Sequence, residues 1–149
     1  MAKEKSSKSN AKHGRPPFID LLGLTFERLD SGEILVKLPM RDELIGNLET
    51  GTVHGGAISA MLDVTGGLAV FQKLRKDMQD QSLEDQMERL SKVKTIDMRV
   101  DYLRPPKGNE FIGTASILRK GNKVAVTRME LHNDDDKLIA VGTGTYIVG

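Results

Sequence analysis

One long stretch of helical spacing stands among runs that read as strands, and this contrast limits the architectures open to the chain. In GGAISAMLDVTGGLAVFQKLRK, at residues 55–76, Ile58, Met61, Leu62, Thr65 and Ala69 recur on one face. That spacing predicts a long helix with one buried side. The second half has period two instead. In KTIDMRVDYLRPP, Ile96, Met98, Val100 and Tyr102 alternate with Thr95, Asp97, Arg99 and Asp101, the mark of a strand with one buried face. EFIGTASILRK and KVAVTRMEL meet at Gly121-Asn122, a hairpin signal. NDDDK makes a further turn before LIAVGTGTYIV. Ahead of the helix, LTFERLD and EILVKLPM flank a Ser31-Gly32 turn. RPPFIDLLG starts on a proline pair and stops on Gly23, as a short helix does. RDELIGNLETGTV reads as a polar loop into the long helix. The expected fold is α+β, an antiparallel sheet with one long helix packed on it.

Composition narrows the chemistry. The chain has 149 residues, enough for one domain with a real core, and no cysteine. Disulfides, thiolate catalysis and cysteine-ligated metal sites are excluded. Three histidines, His13, His54 and His132, make a histidine-rich metal site a poor expectation. Residues 1–15 carry five cations against Glu4, so the remainder is net acidic and has no nucleic-acid footprint. The expected organisation is a disordered basic leader over residues 1–15 and one folded domain over residues 16–149. A tether to nucleic acid or membrane is the alternative use of the leader. It has no apolar segment, so it is not a secretory signal. No apolar run is long enough to span a bilayer, and a cytoplasmic protein is expected.

The start of the long helix is unusual. GTVHGGAISAMLDVTGG puts two glycines at the helix mouth and a carboxylate, Asp63, in its middle, though both weaken helices. Asp63 lies about 140° around the helix from Ile58, off the apolar stripe. Its neighbours at three and four positions are Ser59, Ala60, Gly66 and Gly67. A strip of such small side chains admits either close packing on a sheet or the approach of another chain or a thin ligand. One turn on from the acid stand Gly66 and Gly67, and Thr65 is the nearby hydroxyl on that side. At the mouth, the first N–H groups of a helix lack internal partners and carry positive partial charge. Glycine leaves them bare, so a carbonyl oxygen could dock and be polarised. His54 fits there as a cap or packing residue, or as a site group.

Asn47 stands seven residues before His54, and Asp63 nine after it. With the His-Gly-Gly helix start and the strand order, IGNLETGTVHGGAISAMLDVTGG resembles the hotdog-fold acyl-CoA thioesterases of the phenylacetic-acid-degradation type and their medium- and long-chain relatives. VDYLRPPKGNEFIGTASILRKGNKVAVTRMEL is similar to that family's central strands. The resemblance runs from residue 17 to the C-terminus. It implies a curved sheet wrapped around the helix, pairing of two such units into a homodimer and then a dimer of dimers, and a site between subunits. It implies that Asp63 is the catalytic carboxylate, activating water or attacking the thioester itself. It implies that the Gly55 N–H of a partner subunit polarises the carbonyl, that Gly56 adds to the helix dipole, and that His54 and Asn47 orient thioester or water. Hydrolysis of acyl-CoA to a free fatty or aryl acid and CoA then requires no cofactor and no metal.

The same resemblance makes Arg104, Arg119, Lys120 and Gly121 candidates for holding the phosphates of coenzyme A. Ordinary surface charge explains any one of these cations equally well. The charged segment at residues 77–92 looks like an insertion, and Leu83, Met87 and Leu90 predict a short amphipathic helix within it. Phe71 and Tyr102 have no assigned place, and no aromatic visibly closes a pocket. VGTGTYIVG is not a phosphate loop, since it lacks the Lys-Ser/Thr pair and a following helix. Two other activities share this fold by resemblance: an acyl-CoA dehydratase or hydratase, and a non-catalytic acyl-CoA-binding protein.

Overall fold

The computed structural model describes residues 15–149. Of the expected leader, residues 1–14 lie outside that span, while Arg15 pairs with Asp20. A short helix, α1 (Pro17–Leu22), ends on Gly23 in the left-handed conformation. Strands β1 (Thr25–Arg28) and β2 (Ile34–Pro39) follow, then a 3₁₀ turn at Asp42–Leu44. The segment read from sequence as a plain loop contains a small antiparallel pair, β3 (Ile45–Asn47) and β4 (Thr52–Val53). Strands this short carry too few residues for any period to be visible. Next come α2 (Gly55–Asp77), α3 (Leu83–Ser91), β5 (Lys94–Tyr102), β6 (Glu110–Lys120), β7 (Val124–Asn133) and β8 (Leu138–Ile147).

Six strands form one antiparallel sheet in the order β1-β2-β6-β7-β8-β5. Helix α2 packs against β2, β5, β6, β7 and β8. This is the hotdog arrangement. Ile58, Met61 and Leu62 of α2 are fully buried with Val36, Leu38, Phe111, Met129 and Leu131 of the sheet. Val70 and Leu74 continue the buried stripe toward the helix C-terminus, where they meet Leu90 and Val148. Burying such side chains contributes roughly 1.5–3 kcal/mol each, which is what holds α2 in the sheet.

One contact between helix and sheet depends on missing side chains. The Tyr146 ring of β8 sits between Gly66 of α2 and Gly144 of its own strand. A Cβ on Gly66 would overlap the Tyr146 hydroxyl, and one on Gly144 would press on the ring. The small-residue strip is therefore divided. Gly66 is buried and serves close packing, while Gly67, next in sequence, faces open space beside Asp63.

Two faces differ from expectation. Among the described residues, strand β5 is an edge of the sheet, bonded only to β8. Its alternation is real, but only Met98 and Val100 reach the core, and Ile96 and Tyr102 are each 53% exposed. Helix α3 forms as predicted, capped by Ser82, whose hydroxyl accepts the Asp85 N–H at 3.1 Å. Its apolar stripe is mostly unused: Leu90 is buried, while Leu83 and Met87 stay exposed. Among the described residues, no helix is long and apolar enough to cross a membrane.

Candidate active site

Asp63 lies midway along α2, and its carboxylate is held by two strands. The Thr95 hydroxyl of β5 donates to Oδ1 at 2.8 Å. The Tyr146 hydroxyl of β8 lies 3.3 Å from the same oxygen and 3.1 Å from the Asp63 carbonyl oxygen. Thr95 and Tyr146 are direct partners in the β5–β8 ladder, so one cross-strand pair presents both hydroxyls to the helix. Burial pushes the Tyr146 phenol well above its ordinary pKa, and the Asp63 charge adds to the shift. Tyr146 therefore stays a proton donor toward Asp63. Asp63 Oδ2 receives no hydrogen bond from any described residue. Thr65, the hydroxyl nearest in sequence, faces the sheet instead and donates to the Met61 carbonyl at 2.7 Å.

Asp63, Thr95 and Tyr146 together line a pocket of about 330 Å³, within the usual range for a small-ligand site. Among the described residues that line it, Asp63 is the only carboxylate. The rest of the described lining is mostly apolar, with Ile19 from α1, Phe26 from β1, Val64, Leu68 and Phe71 from α2, and Val93, while Lys94 adds a cation beside Thr95. Gly67 lies one turn on from Asp63 and leaves the pocket open beside the carboxylate. Among the described residues, no three His, Asp or Glu side chains converge as a metal site would require.

The helix mouth is a separate feature. His54 is the N-cap of α2, and its Nδ1 accepts the Gly56 N–H at 2.8 Å. That N–H is therefore engaged within the chain. The His54 carbonyl takes the Ala57 N–H at 3.0 Å. The Gly55 N–H has no acceptor among the described residues. The Tyr102 hydroxyl donates to the Gly55 carbonyl at 3.0 Å, which staples the end of β5 to the start of α2. Asn47 sits across the β3–β4 turn, where its side-chain oxygen accepts the N–H groups of Glu49 and Thr50.

The sequence model of the thioesterase superfamily matches residues 50–140, which include the helix mouth, Asp63 and Thr95. The chain belongs to the thioesterase superfamily. A medium/long-chain acyl-CoA thioesterase of Salmonella typhimurium, YigI, is 44% identical over 89% of this chain and 86% of its own. Its Escherichia coli counterpart is 41% identical over the same shares. A solved Shewanella oneidensis structure, described as related to the thioesterase superfamily, superposes with a TM-score of 0.85 at 49% identity. That match covers 90% of this chain and 88% of the other.

In this thioesterase the basic candidates do not gather at one place. Arg104 follows β5, near the N-terminal end of α2, and donates to the Leu138 carbonyl at 2.7 Å. Lys120 ends β6 and pairs with Asp77, at the C-terminal end of α2, at 3.0 Å. Arg119 and Gly121 lie beside Lys120. The Gly121 N–H donates to the Val124 carbonyl at 2.8 Å and closes the turn. The two groups are thus separated by the length of α2, about 33 Å at 1.5 Å per residue. The residues that sequence reasoning missed are Thr95 and Tyr146. They are 32 and 83 positions from Asp63, too far for any local spacing to reveal.

Proposed function

We propose that this chain is an acyl-CoA thioesterase in which Asp63 acts as general base on a hydrolytic water. The observation that carries the reading is a carboxylate, braced by two hydroxyls, in a pocket whose described lining is mostly apolar. An acyl chain suits the apolar walls, and its thioester then lies against Asp63. The names of the 41–44% identical relatives support the same substrate class.

In this mechanism Asp63 takes a proton from water as the water oxygen adds to the thioester carbonyl carbon. The carbonyl oxygen gains negative charge and needs donors within about 3 Å. Within one chain the Gly55 N–H cannot serve, because eight residues of helix place it about 12 Å from Asp63. The donor on this reading is Gly55 of the partner subunit, with Gly56 and the helix dipole behind it. Collapse of the tetrahedral intermediate breaks the C–S bond, and the proton passes from Asp63 to the departing sulfur. His54 sets the helix start, and Asn47 sets the turn that precedes it. Arg104 and the Arg119–Lys120–Gly121 turn remain candidate phosphate contacts, one group at each end of α2.

A homodimer follows from this assignment, since one chain holds only half of each site. Among the described residues, strand β5 offers an unpaired edge of nine residues with Ile96 and Tyr102 exposed along it. Such an edge is a template for pairing with a second copy. A dimer of dimers would bury further surface.

The test is thiol release from a panel of acyl-CoAs. The wild-type chain should hydrolyse members of the panel, and Asp63→Asn should lose about 10²–10⁴ of kcat, the usual worth of a positioned acid–base group. Equal turnover by Asp63→Asn would remove Asp63 from the mechanism. Binding of acyl-CoA without turnover by the wild-type chain would sink the enzyme reading.

A further inference from the structure

A second, larger cavity lies beyond the pocket. It measures about 910 Å³ and is bounded by the β1–β2 turn, the C-terminal half of α2, and α3. Its described lining is mixed: Ile34, Leu68, Phe71 and Leu90 supply the apolar part, and the rest is mostly polar, with the cations Arg28, Lys73, Arg75 and Lys76 among them. Leu68 and Phe71 line both cavities. Phe71 is 38% exposed, so it is not locked into the core as Leu74 is one turn on.

We propose that Phe71, supported by Leu68, is the partition that sets the acyl-chain length, and that the cleft beyond it receives the distal end of chains too long for the pocket. This rests on the reading of the pocket as the acyl site. The pocket runs along α2, since Asp63, Gly67 and Phe71 recur at four-residue steps on one face. From Asp63 to Phe71 is eight residues, or about 12 Å of helix. An extended chain of single bonds advances about 1.3 Å per atom, judged from the 3.8 Å between successive Cα atoms across three bonds. The pocket therefore accommodates about nine carbons before the chain meets the Phe71 ring. A longer chain continues only where the ring gives way, and it then enters the cleft that α3 helps to bound. The segment at residues 77–92 thus gains a use: it forms a wall of the distal subsite.

The test is a length series of saturated acyl-CoAs from about four to eighteen carbons, read as kcat/KM for wild type, Phe71→Ala and Phe71→Trp. Removing the ring should raise the ratio of sixteen-carbon to eight-carbon turnover by about tenfold or more, and the larger ring should lower it. Direct binding of free fatty acids of graded length, by displacement of an apolar fluorophore, should show the same two shifts. Unmoved profiles in both variants would overturn the partition while leaving the thioesterase reading intact. Shifted binding profiles in a protein that hydrolyses no acyl-CoA would uphold the partition and overturn the activity.

Discussion

At the residue scale, Asp63 depends on the absence of a side chain one turn away. The Tyr146 hydroxyl reaches the acid because Gly66 leaves room for it, and a Cβ there also crowds Thr127 and Met129. Gly66→Ala should therefore destabilise the fold by about 1–3 kcal/mol, the usual cost of an extra methyl in a packed core. Chemical denaturation reads that change directly. Turnover per folded molecule should fall as well, because the displaced phenol can no longer donate to Oδ1. Full activity in folded Gly66→Ala would separate Tyr146 from the site. By contrast, Gly67→Ala meets only an ordinary contact with the Tyr146 ring, at 3.7 Å. The glycine pair was visible in the sequence as one strip with two explanations. The structure gives one explanation to each glycine.

At the scale of elements, the start of α2 isolates one N–H for substitution. Gly55 is the first helical residue, where proline's fixed φ is favourable and its missing N–H disturbs no internal bond. His54 already has the extended conformation that a following proline requires, at φ −62° and ψ 136°. Gly55→Pro should keep the helix and the melting temperature. It should cost about 10²–10³ in kcat, as loss of one oxyanion donor does. Gly55→Ala retains the N–H, meets Tyr102 at 3.4 Å, and should keep most of the activity. Long elements were legible in the sequence because their periods are. The limits of α2 fell within a residue of expectation, and the strands of the second half read cleanly. The β3–β4 pair was not legible, because two- and three-residue strands have no period. The face of β5 was half legible. Alternation shows which residues align, but only topology shows that the strand is an edge. Likewise, Leu83 and Met87 matched a helical stripe that the structure leaves uncovered. Of the candidate site, the helix that carries Asp63 was readable, whereas Thr95 and Tyr146, which bond to Asp63, come from distant strands.

At the scale of the molecule, the proposed mechanism together with the separation of Gly55 from Asp63 requires each site to be the joint product of two chains. Mixing Asp63→Asn with Gly55→Pro, each nearly inactive alone, provides a test after subunit exchange. In a mixed dimer one site receives both defects, and the other receives an intact acid and an intact donor. Recovery of about half the wild-type activity in purified mixed dimers is the expected outcome, if the two sites turn over independently. No recovery would overturn the assignment of acid and donor to different chains. Sheet order carries a consequence of another kind, for the path by which the chain acquires activity. Strand β5 has only β8 as its partner in the sheet, and β6 and β7 lie between them in sequence. Contacts between such distant segments require a large loop to close first. Thr95 and Tyr146 face each other across that same pairing. The two hydroxyls thus come together at Asp63 only when β5 docks on β8. Without that docking Thr95 cannot reach Asp63, so under the proposed mechanism closing the sheet and completing the brace around the acid are one step.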